Sequence, residues 1–178
     1  CDADFLATVL PPLVARAAVL SYCDSRQINA KGRVMSPHYQ KYLSVVSCER
    51  WRQPYVASGE EEIREALAVM NTIPNVSGVV FRREVLAEVF TRYSNEIAAF
   101  PRAGDWVTYF RILQHGSIAY SPRAANCHRR HRQGVIAGSA RPDIVLEISR
   151  VQALISGSVD ISEEISAKAA GYLAGLEK

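Results

Sequence analysis

The chain has little of what marks a secreted or membrane-spanning protein. Its four cysteines, at positions 1, 23, 48 and 127, include no CxxC pair. That argues against a disulfide framework and fits a reducing, cytoplasmic compartment. No apolar run approaches the ~20 residues a membrane-crossing helix needs, and the opening residues do not read as a signal peptide. Internal repeats and low-complexity segments are missing. So is a starting Met: the sequence opens at Cys1-Asp2-Ala3-Asp4, which suggests a piece of something longer. Strong charge of one sign is absent too. A net charge of +3 is small for a nucleic-acid binder, and it suits a phosphate-bearing ligand or an anionic surface without proving either.

What is present is ordinary globular material. At 178 residues with 48% hydrophobic and 22% charged content, the chain can bury a sizeable core. One stretch stands out, Ala103-Gly104-Asp105-Trp106-Val107-Thr108-Tyr109-Phe110-Arg111-Ile112-Leu113. Trp106, Tyr109, Phe110 and Leu113 recur at helical spacing, Gly116 closes the helix, and Asp105 sits at its start, where backbone N–H groups and the dipole favour a carboxylate. Two readings stand for Asp105: a helix cap, or an ionised base that takes a proton from a hydroxyl.

Asp2 and Asp4 could face one divalent cation together, as Mg²⁺ and Mn²⁺ prefer oxygen ligands shared with a diphosphate. Asp4 could equally cap a helix from Phe5 to Arg16, which Pro11-Pro12 would interrupt. Residues 17–23 read as a buried strand ending in the polar cluster Asp24-Ser25-Arg26-Gln27, followed by a turn at Asn29-Ala30-Lys31-Gly32. The segment from Met35 to Tyr55 reads as irregular. Its Tyr39, Tyr42, Trp51 and Tyr55 could line a sugar surface or simply pack the loop. Ser58 and Glu61 form a capping box for a helix reaching about Met70. A polar loop carrying Asn75, Ser77 and Gly78 leads to the strand Val79-Val80-Phe81, and a helix follows from Arg82 through Val89. A strand from Ser117 is expected to break at Ser121-Pro122. The basic run Asn126 to Arg132 holds His128 and His131 beside Arg129 and Arg130. No paired motif supplies two further ligands, so structural zinc is not expected. One histidine could complete a cation site with Asp4, and the arginines could grip a diphosphate. A solvated basic strand end or a nucleic-acid patch would look the same. Beyond Pro142, residues 143–154 and 160–176 read as packing or linker helices. The expected domains are thus 1–140 and a helical tail, 141–178.

In order, Asp2-Ala3-Asp4, Ser21-Tyr22-Cys23-Asp24-Ser25, a turn with Gly32, the run from Asn71 to Glu84 through Ser77-Gly78, Gly104-Asp105-Trp106, residues 116–122 and His128-Arg129-Arg130-His131 resemble the C-terminal half of family 2 glycosyltransferases of the GT-A fold. The likeness runs from Asp2 to about Gly134, and is to the bacterial type that builds surface polysaccharides. The resemblance implies an α/β, partial GT-A-like domain with a mixed sheet. It implies transfer of a sugar from a nucleotide-sugar donor to a saccharide or lipid-linked acceptor with inversion. Asp105 would be the base, and Asp2 and Asp4, with His128 or His131, would hold a divalent cation (Mg or Mn). Asn75, Ser77, Gly78, Arg129 and Arg130 would lie around the donor. Where the family often has Glu-Asp, this chain has Gly104-Asp105. The family's nucleotide-binding half precedes the first aspartates, so the chain alone is expected to be inactive. Nucleic acid is not an expected partner. Peripheral membrane contact and a homodimer through an exposed sheet edge are compatible with the pattern. The competing expectation is a non-catalytic saccharide-binding or interaction domain derived from such a half.

Overall fold

The computed structural model describes residues 1–130 and 141–177. Helix α1 (Phe5–Val14) leads into the long strand β1 (Leu20–Ile28), which turns into β2 (Val34–Ser36). A short helix α2 (Gln40–Leu43), strand β3 (Tyr55–Ala57) and helix α3 (Gly59–Glu62), extended by a wider turn over Ile63–Leu67, follow. Strand β4 (Val79–Phe81), helices α4 (Arg83–Ala98) and α5 (Gly104–Leu113), strand β5 (Ile118–Arg129) and helices α6 (Arg141–Ser156) and α7 (Glu163–Glu177) complete the order.

The strands form one mixed, open sheet. β1 runs parallel to β5 and antiparallel to both β2 and β4, and β3 runs antiparallel along the other edge of β5. Successive residues of β1 point to opposite faces. Tyr22 enters the main core with Trp106, Tyr109, Phe110, Val151 and Ile155, while Cys23 joins Phe5, Val9 and Ala125 under α1. Helices thus cover both faces, and the protein is α/β.

Several sequence expectations change. The buried strand does not stop at Cys23. It runs on through the polar cluster, with Asp24 4% and Ser25 2% exposed. Nor does β5 break at Pro122. Cys23 pairs with Ser121 and Ser25 with Asn126, so four β5 residues lie opposite Asp24 alone. This bulge takes Pro122 where no ladder N–H is needed. Helix α4 extends past Val89 to Ala98, because Tyr93 and Ile97 continue its apolar stripe onto the core. The segment from Met35 to Tyr55 is not irregular throughout, since it contains β2, α2 and a single 3₁₀ turn at Arg50–Arg52. α1 stops at Val14, short of Arg16, and tolerates Pro11 and Pro12 in its last turns. Arg82 braces the end of α1 and the lead-in to β1, donating to Leu13 O and Ala18 O.

Other expectations hold. Ser58 Oγ accepts from the Glu61 N–H at 3.0 Å, so Ser58 caps α3 as read, while the Glu61 carboxylate turns to Arg50 and does not close the box. Asn29 Oδ1 accepts from the N–H groups of Lys31 and Arg33, and Gly32 takes φ 81°, making the turn between β1 and β2. α5 is more deeply buried than one apolar face requires: Val107 and Ile112 are as inaccessible as Tyr109 and Phe110. Its C-terminus presses on the start of α3, where a Cβ on Gly59 would lie 1.8 Å from Leu113 O. Only glycine fits that contact.

Candidate functional site

Asp105 sits in the first turn of α5, two residues after the Ala103 cap position, which offers no side-chain cap of its own. Its Oδ1 accepts from the Trp106 N–H at 2.7 Å. Partial burial raises its pKa most. The N–H groups of Trp106 and the Asn71 side chain pull it down, and the carboxylate of Glu147 pushes it up again. The net result is a carboxyl group above its ordinary value.

This carboxylate lines a cavity of about 380 Å³. Tyr39 and Tyr42 come from α2 and its lead-in, Asn71 and Pro74 from the loop before β4, and Gln27 and Arg130 from the ends of β1 and β5. The far wall is Ile144 and Ile148 of α6 with Tyr172 and Leu176 of α7. The tail helices therefore border the candidate site as well as packing on the core. Burial raises the pKa of both the Tyr42 and the Tyr172 phenols. The Tyr42 hydroxyl donates to Asn71 O at 3.0 Å.

Glu147, 4% exposed, holds the segment that delivers Asp105. It accepts from the N–H groups of Arg102 and Ala103 at 2.6 and 2.7 Å, and from the Arg102 guanidinium at 3.3 Å. Truncation would strand two backbone donors, each costing about 1–3 kcal/mol. We expect Glu147→Ala to lower the unfolding free energy by about 2–4 kcal/mol, read from urea midpoints. Glu147→Gln keeps an acceptor and removes the charge, so it should lower the Asp105 pKa with little loss of stability. An Asp105 carboxyl titration by NMR that does not move would remove this coupling.

The other predicted residues divide into groups. Asn75, Ser77 and Gly78 do come together, in a knot with two buried strand residues. Asn126 Nδ2 donates toward Ser25 Oγ, Asn75 Oδ1 and Ser77 Oγ at 3.0, 2.8 and 3.0 Å, and Ser77 Oγ donates to Asn75 Oδ1 at 2.6 Å. A Cβ on Gly78 would press on Cys23 O, Ser25 Oγ and the Asn126 amide, all within 3.4 Å. Asp2 and Asp4 do not converge. Asp2 pairs with Arg26, while Asp4 pairs with Arg123 on the β5 bulge. Asp4 occupies the cap position of α1 without a side-chain cap bond. His128 Nδ1 and the Tyr39 hydroxyl hydrogen-bond at 2.5 Å. Burial and then Arg130 hold the imidazole below its ordinary pKa, so it is neutral near neutral pH. Arg129 donates to Asn29 O and Ala30 O, and Arg130 borders the Asp105 cavity. His131 lies outside the described residues. Among the described residues no three His, Cys, Asp or Glu side chains gather as metal ligands, and no helix is long and apolar enough to cross a membrane.

Of the aromatic loop, Tyr39 and Tyr42 reach the cavity, while Trp51 is buried in the core. Tyr172 and the α6 isoleucines were not legible as site residues, because nothing local marks a tail helix as the wall of a distant cavity. Burial pushes the Cys23 thiol up to about 11, which keeps it an unreactive thiol. Compared with models of known protein families, the chain matches none. A search of curated proteins finds no match either.

Proposed function

We propose that the Asp105 cavity is the acceptor side of an inverting, nucleotide-sugar-dependent glycosyltransferase of GT-A type. The observation that carries this reading is a carboxylate with a raised pKa, half-buried in a cavity walled by tyrosines, an asparagine, a glutamine and an arginine. Aromatic faces beside amide and guanidinium groups suit a polyhydroxylated ring. A base is most effective when its pKa approaches the working pH, and burial moves Asp105 that way. In the reaction, Asp105 takes the proton of an acceptor hydroxyl as that oxygen bonds to the anomeric carbon of the donor. The bond from that carbon to the nucleoside diphosphate breaks on the opposite face, inverting the centre. Arg130, at the cavity rim, is placed to meet the departing negative charge.

A divalent cation on this reading would rest on Asp4 and the substrate phosphates, because Asp2 and His128 are tied elsewhere, to Arg26 and Tyr39. Two carboxylates, each held by one arginine, do not make an all-protein cage. They do suit a cation held by one or two carboxylates and by substrate phosphates. The Asp4–Arg123 pair is largely exposed, at 40% and 60% for the two side chains, so exchanging its arginine for a cation costs little. When bound, the cation would neutralise charge on the leaving diphosphate. A homodimer through an open sheet edge belongs to the same reading.

A second reading has one observation in its favour. With both N-terminal carboxylates already tied to arginines, the cavity could bind a saccharide without metal or nucleotide. Transfer assays on the full-length protein with a panel of nucleotide sugars, with and without chelator, separate the two. The transferase reading expects turnover that falls at least about tenfold on chelation and in Asp4→Ala. Saccharide binding that is indifferent to metal and nucleotide, with no turnover, would install the binding-domain reading in its place.

A further inference from the structure

The net charge of +3 hides an uneven distribution. Between Asp24 and Glu49 there is no Asp or Glu, but there are Arg26, Lys31, Arg33 and Lys41. This acid-free stretch forms the hairpin of β1 and β2 and the start of α2. Arg26 is neutralised by Asp2. Lys31, Arg33 and Lys41 are exposed and make no ion pair with any described residue. Between these cations stand Val34 and Met35, 52% and 63% exposed.

An exposed edge strand normally carries charge or proline to discourage pairing. Here it carries two adjacent apolar side chains. The hairpin is also firmly held. Its turn is closed by Asn29, its tip carbonyls Asn29 O and Ala30 O are braced by the exposed Arg129, and the chain after it is anchored by the Tyr39 N–H donating to Asp24 Oδ1 at 3.0 Å. It leaves and returns at the rim of the Asp105 cavity, since Gln27 precedes it, Tyr39 follows it, and both line that cavity.

We propose that the β1–β2 hairpin is a docking surface for an anionic lipid bilayer, with Val34 and Met35 entering the headgroup boundary and Lys31, Arg33 and Lys41 meeting the lipid charge. Charge complementarity selects a negative surface. The two apolar side chains select a bilayer over a nucleic acid, because a polyphosphate gives Val34 and Met35 nothing to bury against. One consequence rests on the transferase reading: an acceptor meeting Asp105 from this side is lipid-linked.

Vesicle sedimentation tests the proposal without any turnover, so its failure and the failure of the transferase reading are separate results. At ~0.15 M salt the protein should bind phosphatidylserine-containing vesicles, ignore pure phosphatidylcholine, and be released at ~1 M salt. Lys31→Gln with Arg33→Gln should weaken binding about thirtyfold, at about 1 kcal/mol per charge. Val34→Ser with Met35→Ser should weaken it about tenfold. Val56→Ser, equally exposed but on β3, should change nothing. All are surface changes, and thermal unfolding confirms that each variant is folded. Equal binding to both vesicle types, no binding, or hairpin variants that bind like wild type would overturn the proposal. So would binding lost with the charges but kept without Val34 and Met35 and displaced by RNA, which would mark a general polyanion site.

Discussion

On the transferase reading, Asp105→Asn should abolish transfer in the full-length protein while making this fold more stable at neutral pH. The amide keeps an oxygen to accept from the Trp106 N–H, so helix α5 and the cavity should survive. What is lost is the proton acceptor, worth about 10²–10⁴ in rate. The stability gain follows from the direction of the pKa shift. Burial, its largest cause, raises the folded-state pKa above that of the unfolded chain. The folded protein therefore holds this proton more tightly, and wild type loses stability as pH rises through the folded pKa. The asparagine variant escapes that loss. Its advantage in melting temperature should be greatest at neutral pH and vanish in acid, below the unfolded-state pKa, where the aspartate is neutral in both states. A variant that turns over normally removes Asp105 as base. One that melts lower at neutral pH, with the gap unchanged in acid, shows that the carboxylate stabilises the helix more than burial penalises it.

Such an opposition, stability given up for a group set in place, is expected where a site is built for chemistry. It also shows why part of the site could be read in advance. Asp105 lies in the first turn of a helix of apolar periodicity, and both features are local. The knot of Asn75, Ser77 and Gly78 was legible as a polar loop before an apolar strand. Its partners Ser25 and Asn126 were not joined to it, because hydrogen bonds between residues fifty and a hundred positions apart leave no local pattern. Strand limits failed for related reasons. Asp24 and Ser25 look like a solvated strand end until β5 is placed alongside, and Pro122 looks like a break until the bulge opposite Asp24 is seen. The tail carried the largest surprise. Ile144, Ile148, Tyr172 and Leu176 form plain amphipathic stripes, and only the packing of α6 and α7 against the core turns them into a cavity wall.

The largest stability effect should lie at Arg50. Glu62 of α3 has no exposed surface. Its carboxylate accepts from the Arg50 guanidinium at 2.8 Å, from the Tyr55 hydroxyl at 3.3 Å and from Thr72 Oγ1 at 3.4 Å. Tyr55 in turn contacts the Tyr22 hydroxyl, which accepts from Trp51 Nε1 at 2.7 Å, and the Arg50 guanidinium lies over the Tyr55 ring at 5.0 Å. The exposed Glu61 and Glu65, also paired with Arg50, add little, since water screens them. Glu62 differs, because a buried charge stripped of its partner keeps the whole desolvation cost. Arg50→Met should therefore destabilise the fold by about 3–5 kcal/mol, and adding Glu62→Gln should recover much of it by removing the orphaned charge. The pH response distinguishes this cause from simple loss of packing. Burial already raises the Glu62 pKa, and Arg50 is the strongest influence holding it down. Without Arg50 the folded-state pKa climbs further above the unfolded one, so Arg50→Met should gain stability as pH falls from about 8 toward 5. Arg50→Met with Glu62→Gln should not. Parallel urea unfolding curves for the two variants across that range would mean that the guanidinium acts through packing on Tyr55 and not through the charge of Glu62.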